Sequence, residues 1–238
     1  MTEEQIVFFA DGIRLCGTLH LPDASRPPLV IGAHGLLSTG DSPKQQELAE
    51  RLNRCGIAFF RFDHRGCGRS EGEFPRVTTF EGRCNDLAAA IQAVAYRPCF
   101  GPGLGLFGSS MGGAVSLAIA GSFQIDTIVT LAAPVRLSSI QVPLSYETDP
   151  RFTGMKPDQM AFDISNRLPQ VRHLLIFHGD ADRIVPFINA EELFERSGPP
   201  KELIRLENAD HPLSNPSHQE LFLHKSTNWF RQHLLMTS

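Results

Sequence analysis

Residues 107–113 read FGSSMGG: two adjacent serines among small residues, between an apolar run and a helical stretch. A serine hydroxyl attacks a carbonyl only if it projects from the backbone, reaches a base, and has backbone N–H groups near the oxygen that gains charge. A sharp strand-to-helix turn supplies that geometry, and small residues two before and two after the serine keep the tight backbone free of clashes. Ser110 has Gly108 and Gly112 at those positions, whereas Ser109 has Phe107 and Met111. Ser110 is therefore the candidate nucleophile. The same residues could form a glycine-softened turn with no chemistry, but the strand before them and the helix of small residues after them favour the nucleophile.

A nucleophile on such a turn needs a sheet to hold it. Strand-like and helix-like stretches alternate along most of the 238 residues. QIVFF-ADG-IRLCGTLHL reads as an antiparallel hairpin around Asp-Gly. The runs at 28–34, 57–63, 103–108, 126–133, 173–179 and 201–207 read as strands, and helical stretches over 44–56, 79–96, from Ser110, over 189–196 and over 217–235 lie between or after them. The buried runs lack period-2 alternation, as expected for strands covered by helices on both faces. The expected fold is α/β: a mostly parallel central sheet with helices on both faces and an N-terminal antiparallel hairpin. The chain is expected to be one domain over 1–238. One segment, 134–170, is proline-rich, weakly periodic and too long for a plain connection, and is expected to be a short cap or lid.

The base and its orienting acid should lie in loops at the carboxyl ends of later strands. After Ser110, HLLIFHG runs into DADRIVP and KELIRLE runs into NADHP. His211 is the one later histidine in a loop directly after a strand; His218, His224 and His233 fall in the last helix, where a solvated surface role is the usual one. Asp180 and Asp182 share one loop, and their spacing alone favours neither. Asp210 reads as a turn residue.

The stretches AHGLLS (33–38), FRFDHRGCGRSEG (60–72), GSSMGG (108–113), HGDADRIVP (178–186) and ADHPL (209–213), in this order, resemble the α/β-hydrolase superfamily. Within it the chain resembles the small-lidded serine esterases and acyl hydrolases, over nearly its whole length. That resemblance implies a triad of Ser110, Asp182 and His211, with Asp180 shaping the turn. It also implies an oxyanion hole from the backbone N–H groups of Met111 and Leu36. The first loop is HGLL, not HGGG, so the lipases with that glycine run match less well. His34 is expected to buttress the loop, and DHRGCGRS to be a hydrogen-bonded structural loop. No base is indicated for Cys67 as a nucleophile.

The expected activity is cleavage of carboxylic esters of small to medium acyl or aryl groups through an acyl-enzyme. Tyr146, Phe152, Met155, Met160 and Phe162 are candidate pocket residues, although they could equally pack the lid onto the body. Thioesterase, amidase or peptidase chemistry would use the same triad, and a binding protein of this fold with little turnover is the remaining alternative. No cofactor or metal site is indicated. A net charge of −4 without a basic patch argues against nucleic acid. No apolar stretch is long enough for membrane insertion. The acidic N-terminus is unlike a signal peptide, and five unpaired-looking cysteines fit a reducing compartment, so a cytoplasmic location is expected. Oligomeric state is not legible.

Overall fold

Continuous apolar runs with no alternation require a sheet buried on both sides, and the computed structural model, which describes residues 2–141, 149–156 and 158–235, contains one. Strands β1 (Thr2–Ala10), β2 (Ile13–Leu21), β3 (Leu29–Ala33), β4 (Ala58–Phe62), β5 (Leu104–Ser109), β6 (Thr127–Leu131), β7 (Leu174–Gly179) and β8 (Lys201–Leu206) form a single sheet. Their order is β1-β2-β4-β3-β5-β6-β7-β8. The β1–β2 and β2–β4 pairs are antiparallel. All other neighbours are parallel. The opening hairpin turns at Asp11 and Gly12, whose φ values of 51° and 79° are the left-handed pair a two-residue loop demands.

Successive strand residues point to opposite faces, so each apolar run feeds two cores. Ile31, Phe60, Leu106, Ile128 and Ile176 pack on one side with helices α3 (Phe80–Val94), α4 (Met111–Ile119) and α5 (Ile188–Arg196). Their immediate neighbours Val30, Phe59, Phe107, Val129 and Phe177 pack on the other with α1 (Pro43–Arg54) and α6 (Pro216–Leu235). The short α2 (Phe74–Val77) has no signal in the sequence periodicity; a single turn is too short to establish one.

From β3 the chain proceeds to β4 on one side and then to β5 on the other. The carboxyl ends of β3 and β5 therefore flank a topological switch point, where open α/β sheets form their crevice. The loop after β4 braces this region. Asp63 accepts from Gly40 N (2.8 Å) and Arg69 N (2.9 Å), and Arg65 pairs with the buried Asp86 of α3 at 2.8 Å. This agrees with the expected hydrogen-bonded loop.

The same region carries a pH liability. His64 is fully buried, and burial followed by the nearby Arg83 charge pushes its pKa down to about 4. Burial also holds His34, His20 and His178 below 6.5. These rings are neutral in the folded chain and titrate normally once unfolded. Below pH 6.5 the unfolded state therefore binds more protons and stability falls, the His64 contribution being complete near pH 4 and worth about 3 kcal/mol. Urea midpoints should fall progressively between these pH values, and a flat profile would contradict neutral buried rings.

Candidate active site

Ser110 sits at the junction of β5 and α4 with φ 51° and ψ −121°. An L-residue in that region costs on the order of 1–3 kcal/mol, and its surroundings hold it there. Ser110 N donates to Leu131 O at 2.7 Å, and Gly113 N donates to Ser110 O at 2.8 Å. The flanking glycines are required by close approach: a Cβ on Gly108 would overlap the Gly112 carbonyl, and one on Gly112 would overlap the Ala33 carbonyl. The G-x-S-x-G spacing is thus a packing requirement of β5, α4 and the end of β3.

His211 follows β8, in a loop tightened by Asp210, which accepts from Ser214 N and Ser214 Oγ, both at 2.7 Å. Lys44 of α1 ties this loop down by donating to Pro212 O at 2.6 Å. His211 Nε2 lies 3.0 Å from Ser110 Oγ, and His211 Nδ1 lies 2.6 Å from Asp182 Oδ2. An ionised carboxylate can only accept, so Nδ1 carries the proton and Nε2 is free to accept from the serine hydroxyl.

Asp182, in the loop after β7, is only 7% exposed. Its Oδ1 accepts from Ile184 N and Val185 N, both at 2.8 Å, which leaves Oδ2 for His211. The buried His178 shapes that turn from below by donating through Nε2 to Val185 O at 2.7 Å. Asp180 points elsewhere, to Arg205 Nε (2.9 Å) and Asn208 N (2.6 Å), which hold its carboxyl below the usual range.

The loop after β3 passes beside the elbow: a Cβ built on Gly35 would stand 3.5 Å from Ser110 Cβ. Among the described residues, neither Leu36 N–H nor Met111 N–H has a protein acceptor. His64 N donates to His34 Nε2 at 3.0 Å, so His34 Nδ1 carries the proton and donates to Gly35 O at 2.7 Å. That pair of bonds is a buttress for the loop.

Ser110 and His211 open into a cavity of about 670 Å³ whose lining includes Leu37, Ile140, Phe152, Met155, Met160 and Ile184. Phe152, Met155 and Met160, from the 134–170 segment, thus face the site. Phe162 does not: its ring stacks on Phe80 of α3 at 4.3 Å and 9°, against the core, which corrects its placement as a pocket residue. Tyr146 lies outside the described residues. His233 also departs from expectation: it is 8% exposed and packs against Trp229 and His173, because it occupies the sheet-facing side of α6. Arg83, which the sequence reading did not single out, is fully buried within reach of the loop after β3. Its available signal was its place on the buried stripe of α3 with Asp86, Leu87, Ala90 and Val94.

The five cysteines are unpaired. Among the described residues, no helix is long and apolar enough to cross a membrane, and no group of three or more His, Cys, Asp or Glu could hold a metal ion.

A serine on the turn after β5, with an acid after β7 and a histidine after β8, is the chain order of the α/β-hydrolases. The family described as serine aminopeptidase, S33, matches residues 25–150, more than half of the chain, and the chain belongs to that family of hydrolases. It is 30% identical over 224 residues to the protein YfhR of Escherichia coli strain K12, covering 87% of this chain and 73% of that one. It is 23% identical over 270 residues to the monoacylglycerol lipase of Mycolicibacterium smegmatis, covering 94% and 95%. Among solved structures, the esterase domain of a Rhodothermus marinus protein superposes with a TM-score of 0.74 at 26% identity, covering 98% of this chain and 100% of that one.

Proposed function

We propose that this hydrolase cleaves carboxylic esters by a two-step acyl transfer, with Ser110 as nucleophile, His211 as general base and acid, and Asp182 as the group that orients the imidazole. The observation that carries this reading is the pair of contacts converging on one ring, Nε2 to Ser110 Oγ at 3.0 Å and Nδ1 to Asp182 Oδ2 at 2.6 Å. In the first step a bond forms between Ser110 Oγ and the ester carbon while the hydroxyl proton passes to His211 Nε2. The carbonyl electron pair moves onto oxygen, where Leu36 N–H and Met111 N–H receive it. The pair then returns, the bond to the leaving alcohol breaks, and His211 gives that alcohol its proton. Water repeats the sequence on the acyl-enzyme, releasing the acid and restoring Ser110.

Kinship to an esterase domain and a monoacylglycerol lipase supports ester cleavage. Intact-mass analysis after exposure to a fluorophosphonate tests the nucleophile. One adduct, mapped to Ser110 and absent in Ser110→Ala, is expected; no adduct on folded wild type would favour a binding protein instead. A matched panel of ester, thioester and amide substrates separates the three chemistries, and the ester is expected to turn over fastest.

The 134–170 segment serves as the lid that sets acyl preference, since Phe152, Met155 and Met160 line the cavity. Small to medium acyl or aryl esters fit this walled, apolar space. Activity on p-nitrophenyl esters is expected to peak at short or medium acyl chains and to shift towards longer ones in Met160→Ala, whose truncation enlarges the cavity. A rate that climbs steadily through palmitoyl in the wild type would refute this size limit.

A further inference from the structure

Arg83 has no exposed surface, and taking a guanidinium out of water costs several kcal/mol unless its N–H groups are met. Its partners come largely from one place. Nη2 lies 3.0 Å from Leu36 O, and Nη1 lies 3.4 Å from His34 O and 3.5 Å from Gly35 O. A remaining contact, 3.4 Å to Cys67 Sγ, comes from the loop after β4. A single cation thus faces three consecutive carbonyl oxygens of the loop beside Ser110.

A trans peptide holds its C=O and N–H in opposite directions. Gly35 O and Leu36 N–H belong to the same peptide unit, so whatever fixes the oxygen fixes the direction of the hydrogen. Gly35 O is held by His34 Nδ1–H at 2.7 Å, by Ser38 N–H at 3.2 Å within the loop, and by the Arg83 charge from α3, and both Gly35 and Leu36 line the cavity into which Ser110 opens. Turning this peptide over would remove the Gly35 oxygen from all three donors and leave more of a buried guanidinium unmet, its Nε having no partner already. We propose that Arg83 is a positioning residue for the oxyanion hole: it fixes the Gly35–Leu36 peptide so that Leu36 N–H points towards Ser110 before substrate arrives. This rests on the reading of Ser110 as the nucleophile and adds a residue on α3, remote in sequence from the triad.

The consequence is a transition-state effect, since the oxyanion exists only after attack. Loss of one oxyanion donor lowers kcat by about 10²–10³. In Arg83→Lys and Arg83→Gln, which cannot reach the three oxygens together, kcat is expected to fall by about 10²-fold with KM little changed. A trifluoromethyl ketone, which gives an oxyanion on Ser110, should lose affinity in parallel with kcat/KM. The product acid, which forms no such oxyanion, should bind as it does to wild type. A merely structural role for Arg83 would weaken both ligands together. Wild-type kcat in a folded variant, or a fall in kcat with unchanged trifluoromethyl ketone affinity, would overturn the proposal.

Should neither variant fold, a crystal structure of the wild type with the trifluoromethyl ketone decides it. The ligand oxyanion must lie within hydrogen-bond reach of Leu36 N while Arg83 still faces Gly35 O and Leu36 O. A Gly35 carbonyl turned towards the ligand would overturn it. Absence of any turnover by wild type would count against the nucleophile reading alone. The orientation of the Gly35–Leu36 peptide in crystals of Arg83→Lys then decides the positioning claim: a turned peptide supports it and an unmoved one overturns it.

Discussion

Ser110→Ala is expected to lower kcat/KM for a p-nitrophenyl ester by about 10⁴–10⁶, with folding intact. In the proposed mechanism the Ser110 oxygen forms the bond to the acyl group in the first half-reaction and leaves it in the second, and Ser109, although it borders the same cavity, is not the serine within reach of His211 Nε2. His211→Ala should fall into the same range, because a serine without a base is a weak nucleophile at neutral pH. Since the two act as one unit, Ser110→Ala/His211→Ala should be no worse than either single variant. Steady-state kinetics of the three proteins checks this. Strictly additive losses would mean that the residues do not work through one proton transfer, despite their 3.0 Å contact. Stability should move the other way for Ser110 alone: replacement by glycine relieves the left-handed backbone strain at φ 51° while removing activity equally.

Asp182→Asn should lower kcat by about 10⁴. The amide has similar size, but its NH2 cannot accept from His211 Nδ1–H, which favours the tautomer that presents an N–H to Ser110. Asp180→Asn should leave kcat unchanged, because that carboxyl serves Arg205 and Asn208 at the outer side of the same loop. The contrast between two aspartates in one loop makes the pair of variants a strong test. Equal losses would mean that the loop as a whole, not the single carboxyl on His211, is what matters. Fluorophosphonate labelling rates give an independent reading, since Asp182→Asn should slow adduct formation and Asp180→Asn should not.

The fold was readable from the sequence because its determinants are local. Continuous apolar runs such as LVIGA and AFFRF can be strands only if both faces are covered, and the two separate cores meet that condition. Asp11-Gly12 supplies the hairpin turn by its own backbone preferences. Gly108 and Gly112 mark the elbow because no side chain fits where the backbones of β5, α4 and β3 meet. These signals need no partner distant in the chain.

The 134–170 segment had no such signal. It lacks a period, so nothing in it distinguished Phe152, which borders the cavity, from Phe162, which stacks on Phe80. Arg83 shows the same limit from the other side. A charged residue on the buried stripe of a helix is visible in sequence, but its meaning depends on what faces it, and that is a loop 47 positions earlier.

By itself, then, the sequence determined the strand and helix order, the superfamily, and the residue types able to form an elbow, a base and an acid. Spacing and local backbone preference carry that information. Only the tertiary structure decided that Asp182 meets His211 while Asp180 turns to Arg205, that Phe162 belongs to the core, and that Arg83 faces three carbonyls of the loop after β3. Those are contacts between segments far apart in the chain, and the direction of a side chain across such a contact is set by packing, which no local pattern encodes.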